Sequence, residues 1–199
     1  MEIKRGYDRL VILIPSLQIA LKFPRIYLRK ALPNIKRMLT SKKWLYKEIF
    51  EWNIYSFATL KQWLFKGMVE NWYEYSFYIR TRHPFCVPTY FSFLGLLNIQ
   101  RLASISQFKT TDLWCQLQEL ADMILISKGS HHLTEPANFT FENNRLQIFD
   151  YGNQKVQEVI IQYGQKILDN FDPDYSWEKR KQELSPPPHK ATAGKGRKK

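Results

Sequence analysis

Apolar positions near the start of the chain alternate or run together over four to six residues, and further along they recur at helical spacing. The stretch "RLVILIPSLQIALKF" holds two such apolar runs broken at Pro15-Ser16, which predicts a hairpin with Lys22 at the end of its second strand. From Ile26 to Trp52 the chain is rich in Lys, Leu, Trp and Tyr, with Pro24 and Pro33 as punctuation, and this predicts one or two helices with basic faces. A longer helix follows over "FATLKQWLFKGMVENWYEYSFYIRTR" and breaks before Pro84. Glu70 and Glu74 lie four residues apart in it and share a face. The aromatic stretch "ENWYEYSFY" within that helix is expected to serve as core and groove lining.

Next, "VPTYFSFLG" and "LLNIQRLASI" are β-branched or aromatic and meet at Gly95, which predicts a second hairpin. "TTDLWCQLQELADMILISKG" reads as one helix, capped by Thr111 or Asp112 and stopped at Gly129. "FTF" and "RLQIFDY" flank the turn-forming Glu142-Asn143-Asn144 and predict a third, short hairpin. A last helix is expected from about Gln154 to Leu168. The closing "SPPPHKATAGKGRKK" has too few apolar residues to build a core. Strands and helices that come in separate blocks favour an α+β arrangement over a doubly wound sheet.

Composition refines this picture. With 199 residues, 44% of them apolar and 15% aromatic, the chain fits one domain with a tail, and the balance excludes a wholly disordered protein. The formal charge of +12 invites a phosphate-bearing partner, either nucleic acid or an anionic membrane. The excess is uneven: from Lys179 onward eight Lys or Arg residues face Glu183 alone, so seven of the twelve net charges belong to the end of the chain. Cys86 and Cys115 have neither metal-type nor disulfide-framework spacing, which suits a reducing compartment. A cytoplasmic location is expected, because the apolar run "LVILI" is too short for a signal core or a membrane span. Without such a signal, the glycosylation triplet at Asn138-Phe139-Thr140 carries no weight.

The stretch "SKGSHHLTEPANFTF" followed by "LQIFDYG" resembles the catalytic loop and metal loop of the protein-kinase-like fold, in which H-R-D-x-x-x-x-N precedes a short hairpin and then D-F-G. His131-His132-Leu133 stands in the H-R-D place, Asn138 in the place of the metal-binding Asn, and Asp150-Tyr151-Gly152 in the D-F-G place. Upstream, "IALK" resembles the strand motif V-A-I-K, which puts Lys22 on the nucleotide phosphates. Glu74 is then the candidate for its helix partner. The resemblance spans about Leu10 to Leu168.

It implies ATP and magnesium as cofactors, with Lys22 and Glu74 binding the nucleotide, Asn138 and Asp150 holding metal, and Asp150 or His131 acting in catalysis. It also implies a domain over 1–177, with an N-lobe-like part at 1–103 carrying a helical insertion at about 26–52, and a reduced C-lobe-like part at 104–177. The basic Pro- and Lys-rich end, 178–199, would be disordered. Two departures shape the expected function. Leu133 replaces the Asp that accepts the proton of the attacking hydroxyl, and "MEIKRGYDR" offers only Gly6 where several glycines normally cover the phosphates. The expectation is therefore either a small ATP-dependent phosphotransferase acting on an unidentified acceptor or a pseudokinase. The alternative is a non-enzymatic binding module, in which "RIYLRKALPNIKRMLTSKKW" and the tail meet nucleic acid or place the protein peripherally at an anionic membrane.

Overall fold

A computed structural model of the chain describes residues 1–6, 8–28, 32–33, 36, 48–121 and 130–184, with side chains described outside 48–63 and 130–131. The first hairpin forms as the pattern predicts. β2 (Arg9–Ile14) and β3 (Ile19–Pro24) pair antiparallel across a 3-10 turn at Pro15–Leu17, and Gln18 closes the turn in the left-handed region at φ 54°. Ahead of them lies a strand the pattern does not announce, β1 (Glu2–Arg5), paired with β2 from Glu2 opposite Leu13 to Arg5 opposite Leu10. All four of its residues are exposed, so it lacks the in–out alternation that marks a half-buried strand.

The second hairpin, β4 (Thr89–Phe93) and β5 (Leu97–Arg101), turns through Leu94 and Gly95, both at positive φ. β5 pairs with β3, which gives one antiparallel sheet in the order β1-β2-β3-β5-β4. Lys22 is thus on the central strand, opposite Asn98, and not on an edge. Helix α1 (Glu48–Thr81) packs against β3, β4 and β5. It takes in Glu48 to Trp52, which the sequence reading assigned to the basic segment. Most of the remaining 26–47 stretch, and with it the expected basic helix face, lies outside the described residues.

The second half is mainly helical. It comprises α2 (Thr110–Leu120), a single helical turn at Ser130–Leu133, the hairpin β6 (Phe139–Glu142) and β7 (Arg145–Ile148), α3 (Gln154–Asn170) and α4 (Trp177–Leu184). Asn143 and Asn144 both adopt positive φ at the β6–β7 turn, the conformation Asn tolerates best after Gly. Asn153 caps α3 by accepting the Lys155 N–H at 2.8 Å.

Three boundaries differ from expectation. α2 ends at Leu120, because Ala121 is already extended, and residues 122–129 lie outside the described set. Its N-cap is Lys109 with no side-chain bond. The Asp112 carboxylate instead accepts the Trp177 N–H at 3.0 Å, tying α4 to α2. Residues 178–184, expected within a disordered tail, are helical, and Arg180 lies 3.6 Å from Glu119. Residues 185–199 fall outside the described set.

The apolar core belongs to the second half. Phe77 of α1 joins Leu113, Leu117, Leu133, Phe139, Ile148, Tyr151, Val159 and Ile160 in one buried cluster. The segment before β4 is stitched to it by backbone bonds, Val87 N–H to Ile148 O at 3.0 Å and Ile148 N–H to Phe85 O at 2.8 Å. Among the described residues, no helix is long and apolar enough to cross a membrane.

Gly95 marks where the sheet meets α1. It sits at φ 74°, and a Cβ there would run into the Met68 carbonyl. Gly95→Ala should therefore cost about 1–3 kcal/mol in urea unfolding, from strain and displacement of α1 together. Gly6→Ala, whose added carbon would meet only ordinary contact at 3.4 Å from the Arg9 carbonyl, should change stability far less.

Candidate functional site

A sheet face that packs on a helix is usually apolar, and this one is not. Ala20 and Lys22 alternate onto the same side of β3, and Gln100 and Asn98 stand opposite them on β5. Lys22, Thr89, Asn98 and Gln100 are all buried, as are Asn71 and Glu74 on α1. Buried polar groups must be bonded, and most of these are. The Asn71 amide donates to the Gly95 carbonyl at 2.9 Å, and the Asn98 amide donates to the Asn71 carbonyl at 2.7 Å, fixing the helix lengthwise on the sheet.

At the centre is the Glu74 carboxylate, with no exposed surface. Lys22 Nζ donates to its Oε1 at 2.9 Å, and Arg9 Nη1 donates to its Oε2 at 2.7 Å. Lys22 also donates to the Phe149 carbonyl at 3.0 Å. Arg9, at the start of β2, reaches further: its Nη2 donates to Asp150 Oδ1 at 3.1 Å and lies 3.5 Å from Glu70 Oε2. Lys66 then joins Glu70 at 3.7 Å to Asp8 at 2.6 Å. The other oxygen of Asp150 is 3.0 Å from His132 Nδ1.

Asp150 is presented by its neighbours. The Tyr151 ring is wholly buried, and its hydroxyl donates to the Val87 carbonyl and accepts from Thr89, both at 2.7 Å. Gly152 sits so close to α1 that an added Cβ would lie 2.5 Å from the Glu70 carbonyl and 2.9 Å from Arg9 Nη2. Only glycine permits this approach, which seats Asp150 against the Arg9 guanidinium.

Charge states follow from these contacts. Burial would raise the Asp150 carboxyl, but Arg9 first, then His132 and Lys22, hold it well below the usual carboxylate range. Burial disfavours the charged Arg9, yet Asp150, Glu74 and Glu70 outweigh it and keep the guanidinium charged. For Lys22 burial wins over the attraction of Glu74, and its pKa falls. Burial pushes Glu70 up. Burial also opposes a charged His132 ring, but the hydrogen bond and charge of Asp150 prevail and raise it above 6.5.

Of the residues singled out from the sequence, Lys22 and Glu74 are bonded to each other, and Asp150 joins them through Arg9. Asn138 lines the same cavity of about 250 Å³ as Lys22 and Asp150, together with Val11, Ala20, Leu102, Ile105 and Phe149. Its amide donates to the His132 carbonyl at 3.0 Å. The side chain of His131 lies outside the described set, and its neighbour His132 is the histidine in contact with Asp150. Leu133 is fully buried in the core and offers no proton acceptor. Arg9 and His132 are the residues that sequence reasoning missed. Arg9 reads as a flanking charge on an apolar strand, while the doublet His131-His132 offered a candidate without saying which of the two faces the site.

These residues do not fit a divalent ion. Oxygen-ligated metals need free carboxylate oxygens, and both oxygens of Asp150 are engaged by an arginine and a histidine. Among the described residues, no three His, Cys, Asp or Glu side chains form a group that could hold a metal. No protein-family model, curated protein or solved structure matches the chain.

Two outcomes test this arrangement. Glu74→Ala leaves Lys22 and Arg9 buried without their shared counter-ion and should cost about 3–5 kcal/mol in urea unfolding. A loss below about 1 kcal/mol would mean that the buried pairing contributes little. The His132 ring has a folded-state pKa above its unfolded value, so its contribution is complete below 6.5 and fades as the pH rises through the folded value. The stability gap between wild type and His132→Gln should therefore narrow as the pH rises above 6.5, measured by denaturant unfolding at each pH.

Proposed function

We propose that the chain is a small kinase-like domain of pseudokinase type, which takes a nucleotide-type ligand in the Lys22 cleft and does not transfer phosphate. The observation that carries this reading is the Lys22–Glu74 pair at 2.9 Å, made between β3 and the helix that precedes β4, with Asp150 held beside it just after β7. The five-stranded antiparallel sheet with α1 packed against it supports the small antiparallel N-lobe-like sheet expected from the resemblance. Val11, Ala20, Leu102 and Phe149 line the cavity with the apolar surface that an aromatic base needs, and Lys22 and Asn138 supply polar atoms to orient it.

Turnover is disfavoured on two counts. Phosphoryl transfer to a hydroxyl needs a residue to accept or orient its proton, and the position expected to supply one is the buried Leu133. The negative charge of a transferring phosphoryl group also needs metal or free cations, and here the carboxylate that would bind metal is committed to Arg9 and His132. Binding, rather than chemistry, is what the cleft offers.

A thermal-shift series with adenosine, guanosine and their nucleotides tests this reading, because a ligand that binds only the folded state stabilises it by about 2.7 kcal/mol at a hundredfold excess over Kd. At least one purine ligand should raise Tm. Ala20→Phe, which fills the cavity, should remove the shift, and labelled ATP should yield neither free phosphate nor phosphoprotein. Absence of any shift across the series, or turnover above a protein-free blank, would reject the proposal.

A further inference from the structure

We infer that Arg9 is a built-in replacement for a divalent cation, so that the cleft binds an uncharged heterocycle without metal and turns away a polyphosphate chain. This inference rests on the nucleotide-type reading of the cavity and narrows it to nucleobase- or nucleoside-sized ligands. A guanidinium carries one positive charge and five donors in a fixed plane, which lets it satisfy several carboxylates at once. Arg9 does this with three: Glu74 at 2.7 Å, Asp150 at 3.1 Å and Glu70 at 3.5 Å, with only 10% of its side chain exposed. These acidic groups come from two separate elements, α1 and the segment after β7. With the guanidinium between them these three do not form a metal-holding group; with it removed, they are the carboxylates that could close on a hard cation.

The charge balance of the cluster decides what else can enter. Arg9, Lys22 and Lys66 face Asp8, Glu70, Glu74 and Asp150, and a protonated His132 brings the group to neutrality. The cations are committed: Lys22 donates to Glu74 and to the Phe149 carbonyl, and Arg9 donates to Glu74 and Asp150. Lys4 and Arg101 also line the cavity, and they face Glu2 at 3.7 Å and Glu142 at 3.4 Å. Among the described residues each cation at the site already faces a carboxylate, so a triphosphate would have to displace one. Drawing Arg9 or Lys22 onto the phosphates would leave Glu74 fully buried without its partners. An uncharged ring asks for none of this. The cavity, at about 250 Å³, lies below the usual range for larger ligands and suits such a ring.

The test has two arms on the full chain. In the first, the free-Mn2+ electron paramagnetic resonance signal is titrated with wild type, Arg9→Ala, Arg9→Lys and the double variant Arg9→Ala/Asp150→Asn. Wild type and Arg9→Lys should leave the signal unchanged, Arg9→Ala should deplete it and gain thermal stability from Mn2+, and the double variant should lose both effects. In the second, adenosine, adenine and ATP are titrated with magnesium or with chelator. Adenosine should stabilise wild type equally in both buffers, and ATP with magnesium should bind no tighter than adenosine. Depletion of Mn2+ by wild type that Asp150→Asn abolishes would overturn the inference. So would ATP with magnesium binding more than tenfold tighter than adenosine, or a folded Arg9→Ala protein that ignores Mn2+. If Arg9→Ala does not fold, the wild-type Mn2+ titration and the adenosine-to-ATP comparison still decide. If no purine binds in either buffer, the reading of the cleft fails, while the Mn2+ arm still judges the role of Arg9.

Discussion

A single carboxylate with no access to solvent, Glu74, holds the first half of this protein in its arrangement. Its two oxygens receive cations from adjacent strands, Arg9 from β2 and Lys22 from β3, so one helix residue fixes the helix against both strands at once. The sheet has few fully buried apolar side chains of its own, and the main apolar cluster lies in the second half. Sheet and α1 are therefore joined largely by directional bonds, which tolerate little error. A one-residue slip of β3 would turn Lys22 to the opposite face and strand Glu74, so register and ion pairing enforce each other. Buried ion pairs are weak contributors when compared with apolar packing of the same volume, but they penalise wrong arrangements heavily.

The same economy explains the local backbone around the cleft. Asp150 must face Arg9, and it is placed there by flanking residues that do no chemistry: Tyr151 is pinned by Val87 and Thr89, and Gly152 lies against the backbone of α1. The Phe149 carbonyl, one residue earlier, accepts from both Lys22 and Gln100. Four consecutive residues thus connect the second half of the chain to the inner face of the sheet, and the cavity forms where that connection passes Val11 and Ala20.

How far the sequence showed this depends on the range of each signal. The three hairpins and the helices α1 and α3 were legible because alternation, turn residues and helical spacing are local. Asn143-Asn144 and Gly95 occupy the left-handed conformations their chemistry suggests. β1 was not legible, since "EIKR" is a fully exposed edge strand recruited by β2 and carries no apolar alternation. The end of α2 was misread because apolar residues continue past Leu120 while the backbone at Ala121 does not. Lys22, Glu74 and Asp150 were reachable only through spacing that resembles a known pattern. Arg9 had no such spacing, as its partners lie 65 and 141 residues away in sequence.

Leu133 shows why the reading of this cleft turns on its surroundings and not on one substitution. The side chain is fully buried and belongs to the same cluster as Phe139, Ile148 and Ile160. An aspartate at that position would carry an unpaired carboxylate into an apolar environment, where burial raises its pKa and favours the neutral form. A protonated, core-facing carboxyl cannot serve as a base, so exchanging the residue alone would not supply a proton acceptor to the cleft. His132, one position earlier, is already bonded to Asp150, and Asp150 is bonded to Arg9. The groups around the cleft are matched to one another in charge and bonding, so changing one of them alters the setting of the rest.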